Sequence, residues 1–331
     1  MERLIIDAKG LGKDYRIRVQ EKSFVKRMFQ TKYEIKTAVS SIDIQINEGE
    51  IVGFIGPNGA GKSTTIKMLT GILRPDRGSV TVNGIVPGEN REQNALNIGA
   101  VFGQRSQLWW DIPVKDTLYL MKHMYRIPDE VFEENLSLYL EILGLKDFLN
   151  QPVRQLSLGQ RMRADIACAI LHNPRVLYLD EPTIGLDIFV KESVRKFIKE
   201  INEKRKTTVL LTTHDMTDIE KLCSRVMVID KGAIIYDGSL ENLKKKYGYH
   251  ETIEARGRWE KDIIDIAALP SVYLETTADK LLVHYDNRVI NSEDILLRVM
   301  QNSQIRDIKI HEQKLDKLIQ QLYEEEQYGL S

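Results

Sequence analysis

The chain has 331 residues, room for roughly two ordinary domains, and its apolar share of 42% predicts a buried core. Its 47 basic and 48 acidic residues leave a net charge of -1, which excludes a general electrostatic attraction to nucleic acid. We therefore expect a compact multidomain protein with no nucleic-acid partner.

The first residues and the cysteines indicate where the chain works. The start, MERLIIDAKG, carries an acid and only a short apolar run, which does not fit a secretory signal. No stretch approaches the roughly 18 apolar residues of a membrane span. Cys168 and Cys223 follow no spacing pattern, which favours reduced thiols in a cytosolic compartment. We expect a protein that is soluble by itself and free to dock on a separately encoded membrane partner.

The first predicted elements are a strand, a glycine-rich turn and a helix. From Glu50 the sequence reads EIVGFIGPNGAGKSTTIKMLTGIL, with apolar residues at helical spacing after the turn. Residues 111–171 then carry an almost wholly helical pattern, which predicts a helical subdomain. Buried strands follow in RVLYLDEP and TTVLLTTH, with an amphipathic helix between them and a hairpin behind them. This alternation predicts an α/β core over residues 1–240.

The pattern changes again after a lysine-rich stretch at residues 241–248, which we predict to be a linker. Residues 249–331 alternate in the order β-α-β-β-α-β, which predicts a small ferredoxin-like α+β domain. A last helix follows, with Leu315, Leu318, Ile319 and Leu322 on one face. The tail shows no metal-ligand spacing or nucleophile arrangement, so we predict a role in dimer stabilisation or regulation.

The glycine-rich turn fits the phosphate-loop pattern G-x-x-x-x-G-K-[ST], continued by Thr64. In such a loop, backbone N–H groups turn toward a phosphate chain, the lysine reaches the β- and γ-phosphates, and the serine ligates Mg²⁺. The flanking strand and helix argue against a chance match. The loop residues are Gly56, Pro57, Asn58, Gly59, Ala60, Gly61, Lys62 and Ser63.

Two adjacent carboxylates, Asp180 and Glu181, follow a buried strand whose carboxyl end is where ligands bind in a parallel sheet. We predict that Asp180 holds Mg²⁺ and that Glu181 orients or deprotonates the attacking water. The alternative, a solvated Asp-Glu turn, becomes improbable beside a phosphate loop.

The order of six motifs resembles that of the ATP-binding subunits of ATP-binding-cassette (ABC) transporters, over about residues 1–240. The motifs are the phosphate loop, Gln104 in VFGQ, the signature LSLGQ at 156–160, the acidic strand end, Asp187 in IGLD and His214 in THD. The resemblance implies a P-loop NTPase cassette, with a RecA-like core and a helical subdomain, that hydrolyses ATP with Mg²⁺.

The resemblance also implies roles for three single residues. Gln104 would join the Mg²⁺ and water shell, and His214 would contact the γ-phosphate. Both side chains can donate or accept near a triphosphate without adding negative charge. Asp187 would lie at a dimer seam and couple two ATP sites. Outside this context, Gln104 and His214 would be ordinary polar or structural residues, and Asp187 a helix N-cap.

The signature contains no acid, thiol or histidine of its own. Ser157 and Gln160 have the spacing of a capping box, which alone explains the stretch. By the resemblance, Ser157, Gly159 and Gln160 contact the ATP held by a partner subunit. Leu158 stands where the family commonly has glycine, which is tolerated if its side chain points away from the phosphate.

Two stretches leave alternatives open. The adenine-stacking residue is predicted to be Tyr15, with Tyr33 as the alternative, because the basic insertion 16–36 lies between the first strands. That insertion fits contact with lipid headgroups or a membrane partner, or a solvated hairpin. Trp109 and Trp110 fit either contact with a membrane subunit or core packing.

We interpret the chain as the ATPase subunit of a bacterial exporter of drugs, antibiotics or lipid-linked compounds. The expected partners are another ABC ATPase subunit, identical or not, and polytopic membrane permease subunits, with the chain peripheral on the inner face of the cell membrane. The alternative is a soluble ABC ATPase acting on ribosomes or DNA. It would be marked by two cassettes or a long coiled coil, and the sequence has neither.

Overall fold

The structure is a computed structural model that describes residues 3–19, 32–103, 106–259, 264–277, 279–301 and 303–328. The chain divides into two compact units, Met1–Asp237 and Gly238–Ser331. Each unit has its own apolar core. Among the described residues, no helix is both long and apolar enough to cross a bilayer.

The first unit combines two sheets with helices. Its described strands are β1 (Leu4–Val19), β2 (Lys32–Asn47), β3 (Ile51–Ile55), β4 (Arg77–Val82), β5 (Ile98–Phe102), β6 (Val176–Asp180), β7 (Thr208–Thr212), β8 (Arg225–Asp230) and β9 (Ala233–Ser239). Its described helices are α1 (Lys62–Leu69), α2 (Arg91–Ala95), α3 (Val114–Met124), α4 (Asp129–Ile142), α5 (Leu158–Ile170), α6 (Ile188–Arg205) and α7 (Met216–Leu222).

The larger sheet has six strands in the order β5-β6-β7-β3-β8-β9. The pairs β5–β6, β6–β7, β7–β3 and β3–β8 are all parallel. Their Val-, Ile- and Leu-rich sequences suit strands that are buried on both faces. Because parallel strands end at the same edge, the residues that follow β3, β5, β6 and β7 are brought together there.

The smaller sheet is antiparallel, in the order β2-β1-β4. Strand β4 pairs with β1 as far as Gly12, opposite Arg77, whereas β2 pairs with β1 as far as Val19, opposite Lys32. The outer part of β1 and β2 is therefore a two-stranded ribbon. The remainder of the insertion, residues 20–31, lies outside the described residues.

The stretch 111–171 contains α3, α4, α5 and two short 3-10 turns, and no strand. Helix α4 is anchored by buried Tyr139, whose hydroxyl donates to the carbonyl of Ile170 at 3.1 Å. Helix α5 is thereby tied to the other helices of this stretch. It leads directly into β6, so the signature segment and the acidic strand end lie on consecutive elements.

The second unit is built on a four-stranded antiparallel sheet. Its elements are α8 (Leu240–Tyr247), β10 (His250–Trp259), α9 (Ile264–Ala267), β11 (Val272–Thr276), β12 (Lys280–Asp286), α10 (Ser292–Gln301), β13 (Ser303–His311) and α11 (Leu315–Tyr328). The strand order is β11-β12-β10-β13, with all pairs antiparallel. The prediction of an α/β core followed by a ferredoxin-like α+β domain is confirmed.

Along β10 and β12, side chains alternate between the two faces of the sheet, and the apolar ones on one face form the core of this unit. Ile253 and Ala255 of β10 and Leu281 and Val283 of β12 point to the same side and are buried. The predicted apolar face of α11 is buried as well. The stretch 241–248 lies mostly in α8, which Ser239 caps by accepting a hydrogen bond from the Asn242 N–H.

Candidate functional site

The loop between β3 and α1 wraps around the amino end of α1. Gly61 adopts a left-handed conformation with φ of +116°, and a Cβ atom there would lie 2.7 Å from the Ala38 carbonyl oxygen. Only glycine fits this position without strain. The loop therefore brings its backbone close to β2 while leaving the first N–H groups of α1 free for an anion.

Lys62 begins α1 and is 7% exposed. Its ammonium donates to the carbonyls of Gly56, at 2.5 Å, and Pro57, at 3.1 Å. Burial lowers the pKa of this lysine, while the nearby charges of Glu181 and Asp180 oppose the shift. A poorly solvated cation held only by carbonyls gains from a phosphate oxygen beside it.

Asp180, at the end of β6, lies directly beside the loop. One carboxylate oxygen accepts from the Ser63 hydroxyl at 3.0 Å, and the other accepts from the Thr212 hydroxyl at 2.6 Å. The carboxylate is therefore oriented from both sides. Paired hydroxyl and carboxylate oxygens are the hard ligands that Mg²⁺ prefers.

Glu181 and His214 form the other half of the site. The His214 Nε2 lies 3.1 Å from Glu181 Oε1, and the His214 N–H donates to Oε2 at 3.3 Å. Glu181 has a left-handed backbone, with φ of +58°, an uncommon and costly conformation for a non-glycine residue. Its N–H donates to the Thr212 carbonyl at 3.0 Å, which holds that conformation in place.

The Glu181 carboxylate has the properties of a general base. Burial raises its pKa, with the charges of His214 and Lys62 opposing the shift. Oε1 is buried and makes no aligned hydrogen bond within the described part of the chain. An unsatisfied acceptor with raised basicity can bind and activate a water molecule.

These groups share one cleft of about 610 Å³, a size typical of small-ligand sites. Its lining residues are Ala38, Asn58, Gly59, Gly61, Lys62, Ser63, Thr64, Lys67, Ile72, Phe102, Gly103, Asp180, Glu181, Ile184 and His214. The phosphate loop, the acidic strand end and the histidine thus meet, as predicted. Gly56 and Pro57 contribute through their carbonyls. Ala60 is buried behind the loop, and its carbonyl accepts from the Gly232 N–H at 2.9 Å.

Gln104 lies outside the described residues, so its predicted role stays a prediction. Phe102 and Gly103, which precede it, line the cleft. The backbone N–H of Gly103 donates to the Asp180 carbonyl at 2.8 Å. Strand β5, which precedes Gln104, therefore ends beside Asp180.

The signature residues open helix α5. Ser157 accepts from the Gln160 N–H at 3.2 Å, and Gln160 accepts from the Ser157 N–H at 2.9 Å, which completes the capping box. Neither residue lines the cleft, and nor does Gly159. Leu158 is 48% exposed between them. The helix tip is formed and faces solvent, so it can meet a second chain.

Asp187 caps α6 through hydrogen bonds from the N–H groups of Phe189 and Val190, both at 3.0 Å. Asp187 is therefore the N-cap of α6, as the helix-cap alternative predicted. The next two side chains, Ile188 and Phe189, are strongly exposed. An apolar pair of this kind beside a signature helix suits a subunit contact.

The ribbon of β1 and β2 separates the two candidate adenine contacts. Tyr15 pairs with Lys36, two residues or about 7 Å along β2 from the cleft residue Ala38. Tyr33 is five residues from Ala38, about 16 Å along the strand, and lies on the opposite face of the ribbon. The register favours Tyr15.

Two contributing residues escaped the sequence analysis. One is Thr212, which orients both Asp180 and Glu181; its position at the end of a buried strand was a usable signal. The other is Asp165 of α5, which accepts from the Ser106 hydroxyl at 2.9 Å and the Gln107 N–H at 2.8 Å. Burial raises the pKa of Asp165 to about 6. This carboxylate ties the segment after Gln104 to the signature helix.

Trp109 and Trp110 follow that segment and are 54% and 52% exposed. The Arg161 guanidinium lies 4.6 Å from the Trp110 ring centroid. Core packing is therefore wrong for both residues. Two half-exposed indoles on one loop are typical of an interaction site.

Comparison with known proteins agrees with this geometry. A family model described as ABC transporter matches residues 39–184. The chain is similar to the ABC transporter ATP-binding protein NatA of Bacillus subtilis (strain 168), with 33% identity over 66% of this chain and 88% of that protein. It is also similar to the linearmycin resistance ATP-binding protein LnrL of the same strain, with 30% identity over 84% of this chain and 89% of that protein.

A solved structure is similar as well. It is the dimeric post-hydrolysis state of an ATP-binding cassette bound to ADP and Pi, with a TM-score of 0.61 and 26% identity, over 71% of this chain and 99% of that chain. Other similar proteins are named for methionine import and for Nod factor export, so both directions of transport occur among them. The chain therefore belongs to the ABC transporter family, and it is an ATP-binding cassette subunit that hydrolyses ATP.

Proposed function

We propose that the chain powers a bacterial exporter as one of two cassette subunits bound to separate polytopic membrane subunits. The observation that carries this proposal is the cleft in which the phosphate loop meets Asp180, Glu181 and His214. The cleft holds donors for phosphates and a base for water, while the serine of the signature stands outside it. A second subunit is needed to bring that serine to a nucleotide.

Hydrolysis follows from the placement of these side chains. The loop N–H groups and the amino end of α1 bind the phosphates, and Lys62 exchanges its carbonyl acceptors for phosphate oxygens. Glu181 takes a proton from the attacking water, and His214 donates to the γ-phosphate. Ser63, Asp180 and Gln104 would hold Mg²⁺. The ion would neutralise charge on the β- and γ-phosphates.

The dimer is proposed to be head to tail, and its partner an identical chain or another ABC ATPase subunit. Each ATP would lie between the phosphate loop of one subunit and Ser157, Gly159 and Gln160 of the other. Asp187 would lie at the seam between the two sites. The capped tip of α5 supports this arrangement, because its N–H groups form an anion site that the chain itself leaves open.

Export is supported by similarity to LnrL, which is named for linearmycin resistance. We propose a drug, an antibiotic or a lipid-linked compound as the cargo, and the inner face of the cell membrane as the place of work. The ferredoxin-like unit would stabilise or regulate the dimer.

The membrane contact can be tested through Trp109 and Trp110. Replacing both with Ala should leave the ATPase rate of the isolated chain within about twofold, because neither ring lines the cleft. Stimulation of that rate by the co-purified membrane subunits, and transport by the reconstituted complex, should be lost. Tyr273→Ala removes an aromatic residue of the second unit that is at least as exposed as either tryptophan, and it serves as the control. Normal stimulation of the double variant would reject the proposed contact.

The adenine contact can be tested by comparing the two tyrosines. Tyr15→Ala should raise the KM for ATP about 10-fold, because stacking of a base on an aromatic ring is worth about 1–3 kcal/mol. Tyr33→Ala should change the KM less than about twofold, since Tyr33 lies on the other face of the ribbon. Steady-state ATPase kinetics give both values, and the reverse ranking would transfer the role to Tyr33.

A further inference from the structure

We propose that Asp218, a buried carboxylate of helix α7, is a positioning residue. It would hold Glu181 and His214 in the relative position that hydrolysis requires. The proposal rests on the roles given above to these two residues. Asp218 is fully buried, a position in which an acidic side chain is rare unless it is paired. Its partners come from three separate elements.

One oxygen of Asp218 joins two loops: the loop after β6, which carries Glu181, and the loop after β7, which carries His214. Oδ2 accepts from the Thr183 hydroxyl at 2.5 Å and from the Thr213 hydroxyl at 3.1 Å. Thr183 lies two residues after Glu181, and Thr213 comes directly before His214. This one oxygen therefore adds a side-chain tie between the two loops, beside the backbone hydrogen bond from the Glu181 N–H to the Thr212 carbonyl.

The other oxygen fixes the carboxylate itself. Oδ1 accepts from Arg195 Nε at 2.6 Å, and this guanidinium is almost completely buried. Arg195 belongs to α6, the helix that Asp187 caps. It also pairs with Asp215, at 3.4 Å, and with Glu192, at 3.1 Å. A buried guanidinium with these partners cannot move away without leaving uncompensated charge.

The contacts between Glu181 and His214 depend on the relative position of these two loops. Glu181 and His214 meet through one ring contact at 3.1 Å and one backbone hydrogen bond at 3.3 Å. The backbone hydrogen bond is longer than usual and the ring contact is not aligned as a hydrogen bond, so a small shift of either loop would break them. Because the reaction requires the base that activates the water and the γ-phosphate contact to be aligned with each other, a displacement of about 1 Å can cost on the order of 100-fold in rate. ATP binding depends on the separate phosphate loop and should be spared.

Two variants test the proposal. Asp218→Asn keeps the shape but offers one acceptor oxygen, which can serve the hydroxyls or the guanidinium and not both. Thr213→Val removes only the hydroxyl that ties the His214 loop, and it remains informative if the first variant folds poorly. For each we expect kcat to fall about 10- to 100-fold while the KM for ATP stays within about threefold.

A matched control separates positioning from general stability. Asn135 is another fully buried polar residue, on α4, and it bonds to Leu171, Asn173 and Arg205, away from the cleft. Asn135→Ala should lower the thermal midpoint and leave kcat unchanged below that temperature. In the His214→Ala background, Thr213→Val should slow turnover less than about twofold more, because the Thr213 hydroxyl acts through the position of His214.

The outcomes distinguish this proposal from the proposed function. If Glu181→Gln abolishes turnover while Asp218→Asn and Thr213→Val keep kcat within twofold of the native chain, the positioning role is refuted and the hydrolytic mechanism stands. A multiplicative loss for Thr213→Val in the His214→Ala background would also refute it. If Glu181→Gln itself keeps normal turnover, the mechanism fails first.

Discussion

Glu181→Gln is expected to lower ATP turnover by about 10²- to 10⁴-fold, the range that a positioned general base contributes. The substitution keeps the size of the side chain and its contact with the His214 N–H. It removes the basicity that burial gives to Oε1. ATP should still bind, since Lys62 and the loop N–H groups are untouched, and the protein should accumulate as an ATP-bound dimer.

The measurement is a single-turnover hydrolysis assay together with size-exclusion chromatography in ATP. Glu200→Gln, which removes a surface carboxylate paired with Lys204, is the control and should behave as the native chain.

In the native chain, burial raises the pKa of Glu181 above its ordinary value of 4.5. As the pH falls, Glu181 is therefore protonated, and turnover lost, at a pH above that ordinary value. The pH dependence should disappear in Glu181→Gln. Normal turnover of that variant would remove Glu181 from the mechanism.

The parts of the site that depend on neighbouring residues in the chain could be predicted from the sequence. A glycine-rich turn between an apolar strand and a helix has few structural solutions, so the phosphate loop could be placed by residue number. The acidic pair followed from the strand before it, because the carboxyl ends of parallel strands share one edge. The ferredoxin-like unit followed from the period-two pattern of its strands and their order.

What could not be predicted depends on contacts between distant segments. The left-handed backbone of Glu181 is held by Thr212, which is 31 residues away along the chain. Asp218 and Asp165 are single acids within helices, and no pattern marks an acid as buried before its partners are known. The sequence favoured Tyr15 and kept Tyr33 as the alternative, and the register of β1 and β2 supports the same ranking.

Ser157→Asp is expected to leave the fold intact and to lower ATP turnover by about 100-fold or more. Aspartate caps a helix as well as serine does, and a negative charge is favourable at a helix amino end, so the free energy of unfolding should change by less than about 1 kcal/mol. The new carboxylate would face the γ-phosphate held by the partner. At about 4 Å, two like charges near a protein surface repel by roughly 4 kcal/mol.

The variant therefore separates the two roles of the signature. Thermal unfolding and ATPase rate are measured on Ser157→Asp and on Ser239→Asp, which places the same substitution at the cap of α8, where Ser239 accepts from the Asn242 N–H at 3.0 Å. The control should keep both stability and turnover. If Ser157→Asp also keeps normal turnover, capping alone explains the serine, since a shared ATP site cannot tolerate a carboxylate at the tip of α5. If turnover is lost while ATP binding to the isolated chain persists, the serine acts on a nucleotide that only a second subunit can present.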